Sequence, residues 1–134
     1  NTNRVSLNDL AACDWIRSLR IDRSLSSEEW GALSTMQNLE TLYVSNLGFE
    51  TMESIYPEVF SLKNLRELYL PNQDISSISE DIKSLVNLEK LSLRGNPIEA
   101  QEQAVLFTNL ESLPKFIKLY FDADGTPTTG FTIA

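Results

Sequence analysis

One eleven-residue phrase recurs in this chain, and no other feature restricts the fold as tightly. LETLYVSNLGF begins at Leu39, LRELYLPNQDI at Leu65 and LEKLSLRGNPI at Leu88, and the three superpose without a gap. Apolar side chains fill the first, fourth, sixth and eleventh places: Leu39, Leu42, Val44 and Phe49; Leu65, Leu68, Leu70 and Ile75; Leu88, Leu91, Leu93 and Ile98. The copies start 26 and then 23 residues apart. A fainter copy, IRSLRIDRSLS, starts at Ile16, and FIKLYFDADGT starts at Phe116. A repeat of this size cannot bury its own apolar face, so its copies must stack on one another as a solenoid.

Within each phrase the apolar places alternate with period two, which predicts a strand with one face inward. The residues that follow must carry the chain back along the outside. Ile75, Ile78, Ile82, Leu85 and Leu88 fall at spacings of three and four, which suits a short helical or 3₁₀ return. Phe49, Met52, Ile55, Val59, Leu62 and Leu65 do the same in the preceding turn, where Pro57 argues against a long regular helix.

The phrase resembles the leucine-rich repeat, L-x-x-L-x-L-x-x-N-x-L, over roughly residues 16 to 121. The resemblance implies an α/β fold of about five repeats: a right-handed β-α superhelix with a parallel concave sheet and short convex helices. In that family the ninth place is normally Asn, which satisfies backbone groups of neighbouring turns. Only Asn96 matches; Ser24, Leu47 and Gln73 stand at the other ninth places, with Asn46 and Asn72 one place early. Either the ladder is broken there or the turns bulge locally. The resemblance also implies a non-catalytic protein-protein interaction module, since most proteins of the family are recognition scaffolds.

A solenoid needs covered ends. The expected layout is a single domain over 1–134, with a helical cap over 1–15, repeats over 16–98, and a helix, last strand and tail over 99–134. Ser6 and Asp9 suit the start of a helix from about Leu7 to Asp14, with Val5 and Leu10 as a hydrophobic staple. That helix is expected to lay Leu7, Leu10, Ala11 and Trp15 over the first turn. A second helix is expected from Glu99 to Leu113, its inward residues Ala104, Val105, Phe107 and Leu110, stopped by Pro114. A strand over Phe116 to Phe121 closes the sheet, and the final Gly130-Phe131-Thr132-Ile133 either covers the last turn or hangs free.

Composition removes several function classes. The 134 residues contain no histidine, so imidazole metal sites, Ser-His-Asp triads and Cys-His pairs are excluded. No glycine-rich phosphate loop occurs. Asp122-Ala123-Asp124-Gly125 echoes a calcium loop, but Ile133 stands where its Glu is needed, so a turn is expected. No metal, cofactor or catalytic residue is therefore assigned. The formal charge of −8 disfavours nucleic acid and anionic membrane as partners, and no apolar run reaches the length of a membrane span. Cys13 is the only cysteine and no Asn-x-Ser/Thr acceptor is present, which points to an intracellular, cytoplasmic location or a secreted bacterial effector. A monomer is expected.

The outward strand places are the candidate binding residues. Alternation directs Ser18, Arg20 and Asp22; Thr41, Tyr43 and Ser45; Glu67, Tyr69 and Pro71; Lys90, Ser92 and Arg94; and Lys118, Tyr120 and Asp122 to the concave side. The middle column reads Arg20, Tyr43, Tyr69, Ser92, Tyr120, and it holds three of the four tyrosines in the chain. Tyr and Arg dominate binding energetics, although aromatic neighbours also stabilise a sheet by themselves. The expected contact set is Arg20, Tyr43, Tyr69, Lys90, Ser92, Arg94, Lys118 and Tyr120. The concave trios hold four bases and three acids, so the excess acidity lies mainly on the convex turns, for example at Glu28-Glu29 and Glu80-Asp81. The leading expectation is a module that binds a partner protein on its concave face. The alternatives are the targeting domain of a bacterial effector, an immunity-type inhibitor of a toxic enzyme, or the regulatory portion of a larger enzyme.

Overall fold

Each phrase becomes a short strand, and the strands stack in sequence order. The computed structural model describes residues 7–22, 26–45, 57–120 and 131–132, at 7, 8, 27, 120, 131 and 132 through the backbone alone. Strands β1 (Ser18–Ile21), β2 (Thr41–Val44), β3 (Glu67–Tyr69), β4 (Lys90–Ser92) and β5 (Lys118–Tyr120) pair in parallel, each with the next. β6 (Phe131–Thr132) joins β5 antiparallel, so the final segment covers the last turn as an edge strand. Parallel neighbours need a crossover, and the helices and 3₁₀ turns between the phrases supply it on the convex side.

The fourth-place residues Leu42, Leu68, Leu91 and Leu119 are fully buried, as are the first-place Leu39, Leu65 and Leu88. Each such side chain contributes about 1.5–3 kcal/mol relative to exposure. The return path after Leu70 matches the expected spacing. Ile75, Ile78, Ile82, Leu85 and Leu88 are all buried, and the path contains a 3₁₀ turn over Glu80–Ser84. The preceding turn has a 3₁₀ segment at Pro57–Ser61, with Val59, Phe60 and Leu62 inside. Proline opens that segment, the one helical position where its missing N–H costs nothing.

Three helices complete the described residues: α1 (Leu7–Ala11), α2 (Ser27–Leu33) and α3 (Ala100–Glu111). α1 is shorter than expected, and Trp15, expected to cover the first turn, is 73% exposed. It stands one place before the first-place Ile16, on the rim of the sheet, while Leu10 and Ala11 of the expected cap pack on the core. α3 also corrects the expected face. Ala104 and Val105 are exposed, whereas Leu106, Asn109 and Leu110 are buried and Phe107 packs at the margin. The AVLF run offers four apolar residues in a row, and the phase is set by Leu106, Leu110 and Leu113. α2 is one of the short convex helices that the fold implies, but no helix was expected at this position. It begins with a capping box, in which Glu29 N donates to Ser26 Oγ (3.2 Å) and Ser26 N donates to Glu29 Oε1 (3.1 Å).

Of the two alternatives at Gln73, a broken ladder or a local bulge, the first is removed: the ladder is continuous between the third and fourth repeats, and the backbone is left-handed at Asn72 (φ 56°) and Asp74 (φ 58°) on either side. Asn96 is buried; its Oδ1 accepts from Gln73 N (2.8 Å) and Ile75 N (3.0 Å), and its Nδ2 donates to Leu70 O (2.8 Å) and Leu93 O (2.9 Å). Gln73 is also buried and donates through Nε2 to Val44 O (2.8 Å). One additional methylene lets the glutamine span to the preceding strand. The expected cap residues Val5 and Ser6, the ninth-place Ser24 and Leu47 with Asn46, and the return-path residues Phe49, Met52 and Ile55 lie outside the described residues. So do Phe121, Asp122, Ala123, Asp124, Gly125, Gly130 and Ile133.

A close approach beside this ladder yields a first prediction. Gly95 has φ +74°, and a Cβ there would lie 2.0 Å from Asn72 Oδ1. Asn72 is itself left-handed, at φ 56°. Gly95→Ala is expected to cost about 1–2 kcal/mol, from left-handed backbone strain plus the clash. Adding Asn72→Gly relieves the clash alone, so urea denaturation should show the pair to be non-additive. Strict additivity would refute the contact.

Candidate binding surface

Register brings the middle column together as alternation predicts: Arg20 opposes Tyr43, Tyr43 opposes Tyr69, Tyr69 opposes Ser92, and Ser92 opposes Tyr120. The Arg20 guanidinium lies 4.2 Å from the centre of the Tyr43 ring. The Tyr43 and Tyr69 rings are 6.1 Å apart and tilted by 39°. Both distances fall in the range for favourable cation–π and aromatic contact. Arg20 also donates to Asp22 through Nε (3.1 Å), and this hydrogen bond, with the charge of Asp22, raises its pKa above the ordinary guanidinium value. The Tyr69 hydroxyl donates to Glu67 Oε1. These contacts hold the two rings and the guanidinium as one half-exposed strip.

The other candidates surround the strip unevenly. Lys90 and Lys118 are half-buried beside it, on directly opposed places of β4 and β5. Arg94 is exposed on its other side. Ser92 corrects the expected contact set: only 6% of it is exposed, so it presents little surface of its own. Ser45 is buried in the same way. Tyr120 is placed in the column by its backbone register, and Asp122 lies outside the described residues.

A second polar row, missed by the sequence reading, runs along the rim where the chain enters each strand. Asn38 Nδ2 donates to Asp14 O (2.6 Å), Asn64 Nδ2 to Gln37 O (2.7 Å) and Asn87 Nδ2 to Lys63 O (2.9 Å). Lys115 Nζ then donates to Asn87 Oδ1 (2.9 Å). Beside it the second-place residues alternate in sign across four repeats. Arg17 meets Glu40 at 3.3 Å, Arg66 meets Glu40 at 3.9 Å, and Arg66 meets Glu89 at 2.8 Å. The hydrogen bond to Glu89, followed by its charge, raises the Arg66 pKa. The two rows line a shallow groove of about 440 Å³. Their signal was present in the sequence, since each main copy is preceded by Asn and carries an acid or Arg in second place. Because the charges satisfy one another, this rim stitches repeats together.

No group of acidic or cysteine side chains among the described residues is placed to hold a metal ion. Nor is any described helix long and apolar enough to cross a membrane.

The family model for leucine-rich repeats (2 copies) matches residues 63–115. Toll-like receptor 8 of Homo sapiens is 42% identical over 69 residues, which is 51% of this chain and 6% of that protein. The flightless-1 homolog of Caenorhabditis elegans is 31% identical over 85 residues, 63% of this chain and 7% of that protein. The volume-regulated anion channel subunit LRRC8D of Rattus norvegicus is 38% identical over 113 residues, 84% of this chain and 13% of that protein. The chain thus spans only a small part of the length of each. Among solved structures, a leucine-rich-repeat protein of Leptospira interrogans superposes with TM-score 0.63 at 22% identity, over 86% of this chain and 27% of that one. An internalin of Listeria monocytogenes superposes with TM-score 0.64 at 18% identity, over 91% of this chain and 33% of that one. Phrase, sheet and asparagine ladder agree with these likenesses: residues 63–115 are leucine-rich repeats, and the chain folds as a leucine-rich-repeat solenoid.

Proposed function

We propose that the chain is a non-catalytic interaction module that holds a partner protein against its concave sheet. The observation that carries this reading is the strip of Arg20, Tyr43 and Tyr69, in ring contact and still half-exposed on one face. Stacked rings stabilise a sheet by ~0.2–1 kcal/mol for each cross-strand pair, whether or not anything binds. Binding hot spots have a different signature. Their removal costs affinity far more than stability, and they are enriched in Tyr and Arg, which combine contact area with polar tips. Relatives with leucine-rich repeats support an interaction role of this kind.

The test begins with affinity purification of the partner from the native cell. Tyr43→Ala and Tyr69→Ala are each expected to weaken its binding by about 2 kcal/mol, roughly 30-fold, by calorimetric titration. Stability should fall by no more than about 1 kcal/mol in each variant. Unchanged affinity in both would refute the concave site. Binding lost instead on neutralising Glu28, Glu29, Glu80 and Asp81 would replace it with an acidic convex surface, as the inhibitor alternative requires.

A further inference from the structure

We infer that the rim docks against the rim of a second copy of this chain, in an antiparallel dimer registered by its alternating charges. The second-place residues of the first four copies read Arg17, Glu40, Arg66, Glu89, and opposite charges meet across each strand gap. Glu40 and Arg66, inside the row, have an ionic partner on either side. Arg17 and Glu89, at its ends, have one each among the described residues: Arg17 engages Glu40 through Nη1, and Glu89 engages Arg66 through Oε2. Four alternating charges read from the other end give the opposite sign at every place, so the row is its own complement. A two-fold axis between β2 and β3 therefore sets Arg17 against Glu89 of the second copy, and Glu40 against Arg66 of the second copy. The two charges with a single ionic partner in one chain are the two that this axis pairs.

The neighbouring side chains keep the same symmetry. Asn38 and Asn64 are exposed, and each spends one N–H on a carbonyl of the copy before it. An amide has a further N–H and an oxygen to offer, and the axis sets Asn38 against Asn64 of the second copy. The ends of the row are apolar. Trp15 holds the rim place of the first copy, and Ile117 takes second place in the fifth, where the alternation of charge stops. Both are exposed, as is Val86 beside Asn87. The axis brings these opposite ends of two chains together, so apolar side chains close the contact at each end. Exposed ion pairs add little affinity and chiefly set register, whereas a buried tryptophan supplies binding energy. Five strands at about 4.8 Å make a strip of roughly 20 Å, which suits a weak dimer. The monomer expected from the sequence is then the dilute form. None of these residues belongs to the Arg20–Tyr43–Tyr69 strip, so the inference is independent of the concave-face reading.

Sedimentation of the full chain from roughly 10 µM to 1 mM tests the dimer. The wild type is expected to pass from monomer toward dimer over that range, and to dissociate as salt rises. Arg17→Glu sets like charges against each other at both ends of the contact, and so does Glu89→Arg. Each should weaken association about tenfold or more, as should Trp15→Ala. Mixed in equal amounts, Arg17→Glu and Glu89→Arg should associate with one another, because each supplies the charge that the other has lost. The double variant Arg17→Glu/Glu89→Arg should dimerise like the wild type yet melt lower, since its like charges now meet along its own row. That split separates a contact between chains from the stitching of repeats within one. A wild type that stays monomeric throughout overturns the inference. So does a dimer that survives both single reversals, a mixture of the two that does not associate, or a double variant that stays monomeric.

Discussion

Asn96→Ala is expected to lower the free energy of unfolding by about 3 kcal/mol, more than any other polar substitution described here. The amide joins two donors and two acceptors of consecutive repeats at a buried point: Gln73 N, Ile75 N and Leu70 O meet it, and Leu93 O accepts from it as well as from Asn96 N. A buried backbone group left without a partner costs about 1–3 kcal/mol, and water entering the vacated space recovers part of the total. For a domain of this size the loss corresponds to roughly 10 °C in melting temperature. Because the bonds cross from one repeat to the next, the substitution acts on the coupling between repeats. The urea transition should broaden, and the amides of Gln73 and Ile75 should lose exchange protection before those of β2. Gln73→Ala removes a single cross-repeat bond, to Val44 O, and should cost about 1 kcal/mol.

Asn96→Asp sharpens the test. The carboxylate keeps the acceptor for the two N–H groups but faces Leu70 O and Leu93 O with no donor. Burial and those carbonyls hold its folded-state pKa above the unfolded value of about 3.9. The penalty is therefore absent below the unfolded pKa and grows as pH rises through that value. Measured against wild type at each pH, the variant should approach wild-type stability in acid and lose it toward neutrality. A difference that does not vary with pH would show that the ladder is solvated.

What could be read in advance follows from which physical rule acts at each place. Leu42, Leu68 and Leu91 occupy the same place in gapless copies, so alternation sufficed to put the strands, their register and the Arg20–Tyr43–Tyr69 strip on one face. Burial of Ser92 was not legible, because a small side chain between larger neighbours sinks for reasons of packing that alternation does not describe. At Gln73 a broken rung and a local bulge stayed open because the pattern counts residue types, whereas the ladder needs only an amide that reaches. Trp15 was expected to follow the cap helix over the first turn; its place in the repeat is that of Asn38, Asn64 and Asn87, on the rim. In α3 the AVLF run left the helical phase open. α2 is the instructive miss, since Ser26-Ser27-Glu28-Glu29 carries a complete capping-box signal that was read only as convex acidity.

That helix carries the second large prediction. Trp30→Ala should cost about 3–5 kcal/mol, the usual range for emptying a buried tryptophan site. Trp30 is 1% exposed and packs into the core alongside Leu33 and Met36. At seven residues α2 is too short to persist in water by itself, so its capping box works only while the tryptophan anchors the turn. Losing that anchor uncovers an end of the solenoid where Leu10, Ile16 and Leu19 are already only partly buried. Repeat proteins fail locally, because each repeat contacts only its neighbours. Exchange protection should therefore collapse at β1 and β2, including Ser45 N on Ile21 O, while β4 and β5 keep theirs. Equal losses at β4 and β5 would refute a local failure. The chain has two tryptophans, and Trp15 is exposed. Trp15→Phe therefore leaves Trp30 as a single buried fluorophore. Its emission should shift red at a lower urea concentration than the unfolding of β4 and β5 followed by exchange, which is the order that a solenoid pinned at one end by α2 requires.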